Sequence, residues 1–364
     1  MTKKVYVHVG AHKTASTTIQ ENIRNNREFF EREHGISFLM SKEIAKSDFA
    51  HHFRSIAQRG RELTREKYHK SIQVAKASIE ELIEATPTDD VFISWEGILG
   101  HCSLDEYGGI YTHSDLVAKS LGLIFEKYPT RVIMLIRKQD SFIESCYLQQ
   151  VKEGEFLSFD EFVDKIDLEK ISWKKVIDDF SENFGNNFLV APFESIKNLG
   201  TTLFLENIFS YIFSKKFDLE SIEITSQVNE SMSGYGVEIA REIFPHLSEQ
   251  HQKAMRRIIF YEFSSSKFGK ATFFNKFTRR LIMARAFNDN LWVYNNHLNK
   301  FLSQSSLTSE NFKANWLSFD GDYKEAVNAV SESDTLEQLN IEAGQEATKT
   351  SKGMLNMVSR AFRR

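Results

Sequence analysis

Short apolar runs that alternate with helical patterns constrain the fold of this chain most. Runs rich in β-branched and aromatic residues predict buried strands over 5–9, 35–40, 91–95, 132–136 and 188–191. Between them, apolar residues recur every three or four positions, as at Ile72, Ala75, Ile79 and Ile83, and predict amphipathic helices. Apolar strands separated by helices are typical of a parallel sheet covered on both faces. The sequence therefore predicts an α/β fold with a central parallel sheet flanked by helices.

Composition excludes several classes of protein. The chain has 364 residues, of which 41% are hydrophobic and 26% charged, and these values exclude wholesale disorder. A formal net charge of −4 excludes a generally basic nucleic-acid binder, so no nucleic-acid partner is expected. No apolar run approaches the roughly 18 residues that span a membrane. The only cysteines, Cys102 and Cys146, have no disulfide or metal-ligand pattern, and the N-terminus lacks the apolar core of a signal peptide. We therefore expect a soluble protein of the reducing cytoplasm.

The C-terminal third differs from the rest. Beyond about residue 230 helical patterns dominate, so we expect an α/β domain over 1–240, completed by a helical extension over 241–319. Residues 320–346 are acidic, with a lone Lys324, and the stretch from 349 to 364 is basic. We interpret 320–364 as a mobile or weakly structured tail. Its amphipathic end is expected to dock either on an anionic membrane, as a peripheral contact, or on the domain itself.

A second basic stretch covers residues 267–285. It has no acidic residue and interleaves phenylalanines with cations, namely Lys267, Lys270, Lys276, Arg279, Arg280 and Arg285. One interpretation is a surface for an anionic glycan or lipid. The other is a helix whose phenylalanine face lies in the core while its basic face is solvated.

The segment between the first strand and the next helix predicts an anion site. It consists of Gly10, Ala11, His12, Lys13, Thr14, Ala15, Ser16, Thr17 and Thr18. Backbone N–H groups at a helix start favour an anion, the lysine adds a charge, and the hydroxyls add donors. A helix cap explains one hydroxyl and not four, so we predict a phosphate site rather than a simple cap. A nucleoside-triphosphate loop would carry a second glycine directly before the lysine, and this loop does not.

This loop resembles the phosphosulfate-binding loop of sulfotransferases, and most closely that of bacterial sulfotransferase-domain proteins, whose pattern is G-x-H-K-T-G-T-T-S-x-Q. The resemblance implies a fold like that of P-loop kinases and 3′-phosphoadenosine 5′-phosphosulfate (PAPS) as the sulfuryl donor, with no metal required. It also implies that Lys13 contacts the bridging oxygen and the transferring group, while Thr14, Ser16 and Thr17 hold the 5′-phosphate. Ala15 stands where the family usually has glycine. We expect the loop to tolerate it, because alanine adopts helical dihedrals readily.

A second motif supports the same resemblance. The family binds the 3′-phosphate through an arginine at a strand end and a serine eight residues later, and Arg137 and Ser145 have that spacing. Arginine can grip a terminal phosphate with two parallel hydrogen bonds. Further likenesses are Trp173, the Phe193-Glu194 pair and the segment Asn229 to Ser233, so that the resemblance covers roughly residues 4–240.

Transfer to a hydroxyl also needs a base for the acceptor's proton. Glu96 is the first candidate, because it follows the strand over 91–95 and should emerge at the sheet edge that carries Lys13 and Arg137. The pair His51 and His52 is the second, since some related enzymes use histidine. His12 is expected to shape the loop, and nothing in the sequence supports a role for His101.

These features together predict a sulfotransferase that moves a sulfuryl group from PAPS to an acceptor hydroxyl, on a carbohydrate or glycan by resemblance, and leaves adenosine 3′,5′-bisphosphate. Two alternatives stay open at this stage. One is an ATP-dependent P-loop kinase, which would depend on Mg²⁺. The other is a non-catalytic partner with a nucleotide-binding fold in a glycan-assembly complex.

Overall fold

A computed structural model describes residues 2–155, 157–226, 231–305, 307 and 309–317. Within these residues five strands form one sheet: β1 (Lys4–His8), β2 (Ile36–Met40), β3 (Asp90–Ser94), β4 (Thr130–Ile136) and β5 (Phe188–Pro192). Every neighbouring pair is parallel, and the strand order is β2-β3-β1-β4-β5. Each predicted strand is found within two residues of its expected bounds. The predicted α/β class with a central parallel sheet is confirmed.

Helices connect and extend the strands. Up to β5 they are α1 (Ser16–Asn25), α2 (Arg27–His34), α3 (Ser41–Ile44), α4 (Asp48–Arg59), α5 (Arg65–Glu84), α6 (Leu104–Tyr107), α7 (Ser114–Ile124), α8 (Gln139–Glu153), α9 (Phe159–Asp164) and α10 (Trp173–Phe184). After β5 they are α11 (Ser195–Phe213), α12 (Gly234–Ile243), α13 (Glu249–Glu262), α14 (Ser265–Phe268), α15 (Lys276–Arg285), α16 (Phe287–Val293), α17 (Asn299–Ser303) and α18 (Ser309–Leu317). None of these helices is long and apolar enough to cross a bilayer.

The sheet is buried on both faces. Consecutive residues of β2, β3 and β4 are buried, although neighbouring side chains on a strand point to opposite faces. On one face α2 and α11 meet the sheet through aromatic rings: Phe209 lies 5.1 Å from Phe30 and 6.2 Å from Phe92, measured between ring centroids. A second layer is a row in which α4 packs on α5, α5 on α7, and α7 on α10. Such double coverage explains why the strands are continuous apolar runs rather than alternating ones.

The strand order opens a crevice at one edge of the sheet. The central strand β1 lies between β3 and β4, and the carboxyl ends of all three reach the same edge. The chain leaves β1 toward β2 on one side and leaves β4 toward β5 on the other. Connections that diverge in this way leave a crevice between the two carboxyl ends, where ligands bind in open α/β sheets. The segments that follow β1, β3 and β4 carry Gly10, Glu96 and Arg137 within their first two residues.

The C-terminal helices complete this side of the molecule. Helices α12 and α15 pack on α8, and α16 packs on α10. Arg279 of α15 donates hydrogen bonds to Asp140 (2.5 Å) and Glu144 (2.9 Å) of α8, and buried Gln139 and Asn290 exchange two hydrogen bonds. The described helices of the expected extension over 241–319 are thus anchored to α8. The predicted tail over 320–364 lies outside the described residues.

Candidate functional site

The loop between β1 and α1 has an unusual backbone. Three of its residues, Gly10, Lys13 and Ala15, have positive φ angles of 42°, 64° and 69°. Gly10 must be glycine for a second reason: a Cβ atom there would lie 3.0 Å from Ser16 Oγ and 3.4 Å from Glu96 Cγ. The missing side chain therefore lets the start of α1 and the Glu96 side chain approach the loop closely.

Ala15 corrects one expectation from the sequence. Its dihedrals, φ 69° and ψ 15°, are left-handed rather than right-handed helical. An L-residue in this region costs about 1–2 kcal/mol, whereas glycine has no such penalty. The helical propensity of alanine therefore does not explain why the loop accepts Ala15. The loop holds this residue in a strained left-handed conformation.

The hydroxyl groups of the loop do not cap α1. The residue before the helix is Ala15, which has no side chain that could accept from the first N–H groups. Thr14 Oγ1 donates to the carbonyl of Ala11 at 2.5 Å, and Thr17 is exposed. Ser16 Oγ is buried with no hydrogen-bond partner among the described residues. The unpaired hydroxyl and the uncapped helix start together offer donors to an anion.

Lys13 contacts the helix that follows β4. Its Nζ donates to Gln149 Oε1 at 3.2 Å, and Gln149 in turn donates to Glu153 at 2.6 Å. Gln149 belongs to neither of the motifs recognised in the sequence. A four-residue spacing could have found it, because Ser141, Ser145, Gln149 and Glu153 follow one another at this interval and so lie along one face of α8.

Arg137 connects the two predicted phosphate motifs. Its Nη1 donates to the carbonyl of Lys13 at 3.1 Å, and its Nε donates to Ser141 Oγ at 3.0 Å. Ser145, the predicted partner, lies one helical turn after Ser141 on the same face of α8. The loop after β1 and the end of β4 therefore meet, although 124 residues separate the two groups.

Two of the further resembling elements, Trp173 and the Phe193-Glu194 pair, lie around this arginine. The guanidinium carbon lies 4.8 Å from the centroid of the Phe193 ring, and the Trp173 indole donates to the carbonyl of Arg137 at 2.6 Å. Glu194 accepts from the backbone N–H of Lys138 at 2.9 Å. Burial lowers the pKa of Arg137, while the Glu194 carboxylate favours its charged form. Burial also raises the pKa of Glu194.

A further cation, Lys270, lies near Arg137. Lys270, in the loop between α14 and α15, has a pKa lowered first by burial and then by the charges of Arg137 and Lys197. As a whole residue Lys270 is exposed, so this lowering reflects the packing around its ammonium group rather than a buried side chain. In the sequence Lys270 belongs to the basic stretch over 267–285, and nothing there relates it to Arg137.

Glu96 lies at the other side of the loop. It begins a short 3₁₀ turn directly after β3, and its side chain is 30% exposed. Burial raises its pKa, whereas Ser16 and the charge of Lys13 act in the opposite direction. Ser16 Oγ approaches this carboxylate without forming a hydrogen bond of normal geometry. A carboxylate whose pKa is raised and which lies near a cation is suited to accept a proton.

Imidazole and phenol side chains lie beside Glu96 at this edge of the sheet. The backbone N–H of His12 donates to the Tyr111 hydroxyl at 2.8 Å, and His12 Nε2 lies 4.0 Å from Glu96 Oε2. The ring of His101 is 5.7 Å from that of His12, and its Nε2 is 3.8 Å from Glu153 Oε2. Burial, with smaller effects of His101 and Lys13, lowers the pKa of His12 to about 3, so His12 is neutral. His101 thus gains a context that the sequence did not supply.

His52, the second candidate base, packs between α4 and α5. Its Nδ1 is 2.9 Å from Ser71 Oγ, and its ring contacts Phe53 and Tyr68. Burial lowers its pKa to about 4. His51 is exposed on the same helix. These contacts give His52 a packing role, and the structure brings Glu96, rather than the histidine pair, to the loop.

The late resembling segment is described only in part. Asn229 and Glu230 lie outside the described residues. Ser231 and Ser233 pair with the chain after α13: Ser233 N donates to Phe263 O at 2.8 Å, and Ser265 N donates to Ser231 O at 2.7 Å.

No family model and no curated protein matches the chain. The crystal structure of a sulfotransferase from Alicyclobacillus acidocaldarius is similar over 71% of this chain and 97% of that chain, with a TM-score of 0.39 and 12% sequence identity.

Proposed function

We propose that this protein is a sulfotransferase that uses PAPS as the donor and a carbohydrate hydroxyl as the acceptor. The observation that carries the proposal is the hydrogen bond from Arg137 to the carbonyl of Lys13, at 3.1 Å. It joins an anion-binding loop and a strand-end arginine side by side at one crevice. A nucleotide with phosphates at both its 5′ and 3′ positions is matched to two such groups, whereas ATP has phosphates at one end only.

The residues at the loop fit a 5′-phosphate. The first N–H groups of α1 lack a side-chain cap, and Ser16 Oγ is buried without a hydrogen-bond partner among the described residues. An anion bound there would satisfy these donors. Thr14 contributes its backbone N–H, because its hydroxyl proton is already donated to Ala11.

The residues around Arg137 fit a terminal phosphate. The guanidinium is oriented by Ser141 and by the Phe193 ring, and its remaining N–H donors can form the paired hydrogen bonds that phosphate accepts. Ser145 adds a hydroxyl on the same face of α8. Lys197 and Lys270 add positive charge nearby.

Bound PAPS would supply an activated sulfuryl group whose departure leaves charge on the 5′-phosphate. Lys13 stabilises that charge, since its ammonium projects from the same loop. Glu96 accepts the proton of the acceptor hydroxyl as the acceptor oxygen bonds to sulfur and the bond from sulfur to the phosphate oxygen breaks. Gln149 holds the Lys13 ammonium at this position.

The acceptor class and the compartment are supported more indirectly. The wall beside Lys13 presents an amide, two carboxylates and two imidazoles, namely the side chains of Gln149, Glu96, Glu153, His12 and His101. Groups of this kind hydrogen-bond to the hydroxyls of sugars. Both cysteines are buried free thiols, which is compatible with a cytoplasmic location.

A transfer assay tests the proposal. Wild-type protein and the Lys13→Ala variant are incubated with PAPS labelled in its sulfate and an extract of cell-surface carbohydrate. We expect label in the carbohydrate and adenosine 3′,5′-bisphosphate as the second product, with both lost in Lys13→Ala while its circular dichroism spectrum is unchanged. Absence of transfer together with Mg²⁺-dependent turnover of ATP would contradict the proposal in favour of a kinase.

A further inference from the structure

Exposed aromatic and apolar side chains gather on the helices beside the crevice. Tyr235, Ile258, Tyr261 and Phe268 have between 50% and 69% of their surface exposed. The Phe268 ring lies 5.9 Å from Tyr235 and also stacks on Phe263, with centroids 5.6 Å apart. Single exposed apolar residues need no explanation, but a contiguous group of this kind marks an interaction site.

The same region is strongly basic. Residues 249–285 contain nine basic and two acidic residues, in a chain whose net charge is −4. Lys267 Nζ lies 4.4 Å from the centroid of the Tyr261 ring. No carboxylate lies within salt-bridge distance of Lys152, Arg256 or Arg257 in the part of the chain that the structure describes. Lys267 is paired with Glu262 at 3.3 Å, but the charges of Lys152, Arg256 and Arg257 are not neutralised by the described residues, and they favour an anionic partner.

The surface is continuous with the crevice. Lys13 contacts Gln149 of α8, and Lys152 lies three residues after Gln149 on the same helix. Lys152 Nζ lies 4.6 Å from the centroid of Phe260 in α13, next to Tyr261. The pKa of Lys152 is lowered first by burial and then by the charge of Lys13, which shows that the two ammonium groups are close enough to repel each other. At the end of α8, the Arg256 guanidinium lies against Gly154, where a Cβ would be only 2.3 Å from Nη2.

We propose that an anionic polysaccharide binds along this aromatic–basic surface, defined as Lys152, Arg256, Arg257, Tyr261, Lys267 and Phe268, and thereby presents a hydroxyl to Glu96 and Lys13. The proposal rests on the proposed function and narrows its acceptor to a carbohydrate chain that carries carboxylates. The apolar faces of sugar rings pack on Tyr261 and Phe268, whose hydrophobic area is otherwise exposed. The carboxylates meet the arginines and lysines.

A chain-like ligand fits the position of Lys152 better than a bilayer does. Lys152 is an exposed residue of α8 whose ammonium lies against Phe260 of α13 and near Lys13, whereas Ile258 and Tyr261 project from α13 into solvent. A flat bilayer can contact the projecting residues. It cannot follow the cations into the crevice, but a polymer chain can.

Binding of a fluorescent polygalacturonate oligosaccharide, measured by anisotropy, tests the proposal. We expect the wild-type protein to bind it with an affinity that falls as salt is raised, and to bind a labelled neutral dextran at least about tenfold more weakly. Both Lys152→Met and the double variant Arg257→Ser/Tyr261→Ser should weaken polygalacturonate binding by about tenfold. The matched control is Arg32→Ser/Leu203→Ser, which removes a cation and an exposed apolar side chain from α2 and α11 and should change nothing.

Three results would overturn the proposal. The first is equal affinity of the wild-type protein for polygalacturonate and dextran. The second is an equal loss of polygalacturonate affinity in Arg257→Ser/Tyr261→Ser and in its control. The third is that Arg257→Ser/Tyr261→Ser keeps its affinity for polygalacturonate and loses only binding to vesicles of phosphatidylcholine and phosphatidylglycerol. The last result would assign the surface to a membrane. Titration of the same proteins with adenosine 3′,5′-bisphosphate separates this test from that of the proposed function. All of these proteins should bind adenosine 3′,5′-bisphosphate with the same affinity. If the wild-type protein did not bind this nucleotide, the proposed donor would be refuted and the polysaccharide surface would not.

Discussion

The guanidinium of Arg137 donates a hydrogen bond to the backbone carbonyl of Lys13, with an N–O distance of 3.1 Å. A single contact thus fixes the separation between the loop after β1 and the end of β4. Because both groups are also held by α8, through Ser141 and Gln149, this helix sets the distance between the two proposed phosphate subsites.

Replacing Glu96 by Gln should lower turnover by about 10²–10⁴-fold, because the amide cannot accept the acceptor's proton. The side chain keeps its size, so the affinity for adenosine 3′,5′-bisphosphate, measured by calorimetry, should stay within about twofold. Glu153→Gln is the control: this carboxylate borders the same wall next to His101 but is not assigned the proton, so turnover should fall less than tenfold. Near-normal turnover of Glu96→Gln would remove Glu96 from the mechanism.

The pH dependence of kcat/KM should have one acidic limb. The base acts only when ionised, so activity should rise with pH through a pKa above the 4.5 of an unperturbed glutamate, because burial raises the pKa of Glu96. His12, with a pKa near 3, is already neutral over this range and cannot produce the limb. The limb should disappear in Glu96→Gln and persist in His12→Asn. If Glu96→Gln retained the limb, another group would have to be the base.

The variant Ala15→Gly should be more stable than the wild type. Glycine removes the penalty of the left-handed dihedrals, and part of the gain is offset by the greater freedom of glycine in the unfolded chain. We expect the free energy of unfolding in urea to rise by about 0.5–1 kcal/mol. Ala11→Gly is the matched control, because Ala11 is buried in the same loop and is not left-handed, and it should lower stability. If both variants are destabilised, Ala15 is not strained.

His52 should affect stability and not turnover. Its pKa is about 4 in the folded protein and 6.5 as a model value, so the folded state binds fewer protons and loses stability as pH falls from 6.5 toward 4. Between pH 7.5 and pH 5 this contribution amounts to about 2 kcal/mol. The variant His52→Asn keeps a polar atom for Ser71 but cannot titrate. Urea unfolding at the two pH values should therefore show a smaller loss for the variant, whose turnover stays normal. A folded His52→Asn protein with turnover reduced 100-fold would instead make His52 catalytic.

The sheet could be predicted from the sequence because each strand is a local feature. Strands buried on both faces are continuous apolar runs, so all five were located within two residues. Helix breaks were less visible: the helix expected directly after the anion-binding loop ends at Asn25 and is followed, after Asn26, by the separate helix α2. The backbone of Ala15 was wrongly predicted, since its dihedrals are set by the closure of the loop and not by the propensity of the residue.

Much of the candidate site depends on contacts between distant segments. The motifs of Lys13 and Arg137 were recognised separately, but their contact follows only from the strand order. Ser141 and Gln149 could have been found from their four-residue spacing on α8. Tyr111 and His101 could not, because they lie in the irregular segments between β3 and α7, where no periodicity relates position in the chain to position in space.

Calorimetric titration with two nucleotides tests the central claim most directly. Wild-type protein should bind adenosine 3′,5′-bisphosphate about 10- to 100-fold more tightly than adenosine 5′-monophosphate, because Arg137 forms charge-assisted hydrogen bonds only with the 3′-phosphate. In Arg137→Gln this preference should vanish while the affinity for the monophosphate is unchanged. An equal affinity of the wild type for both nucleotides, or a preference that survives in Arg137→Gln, would contradict the account.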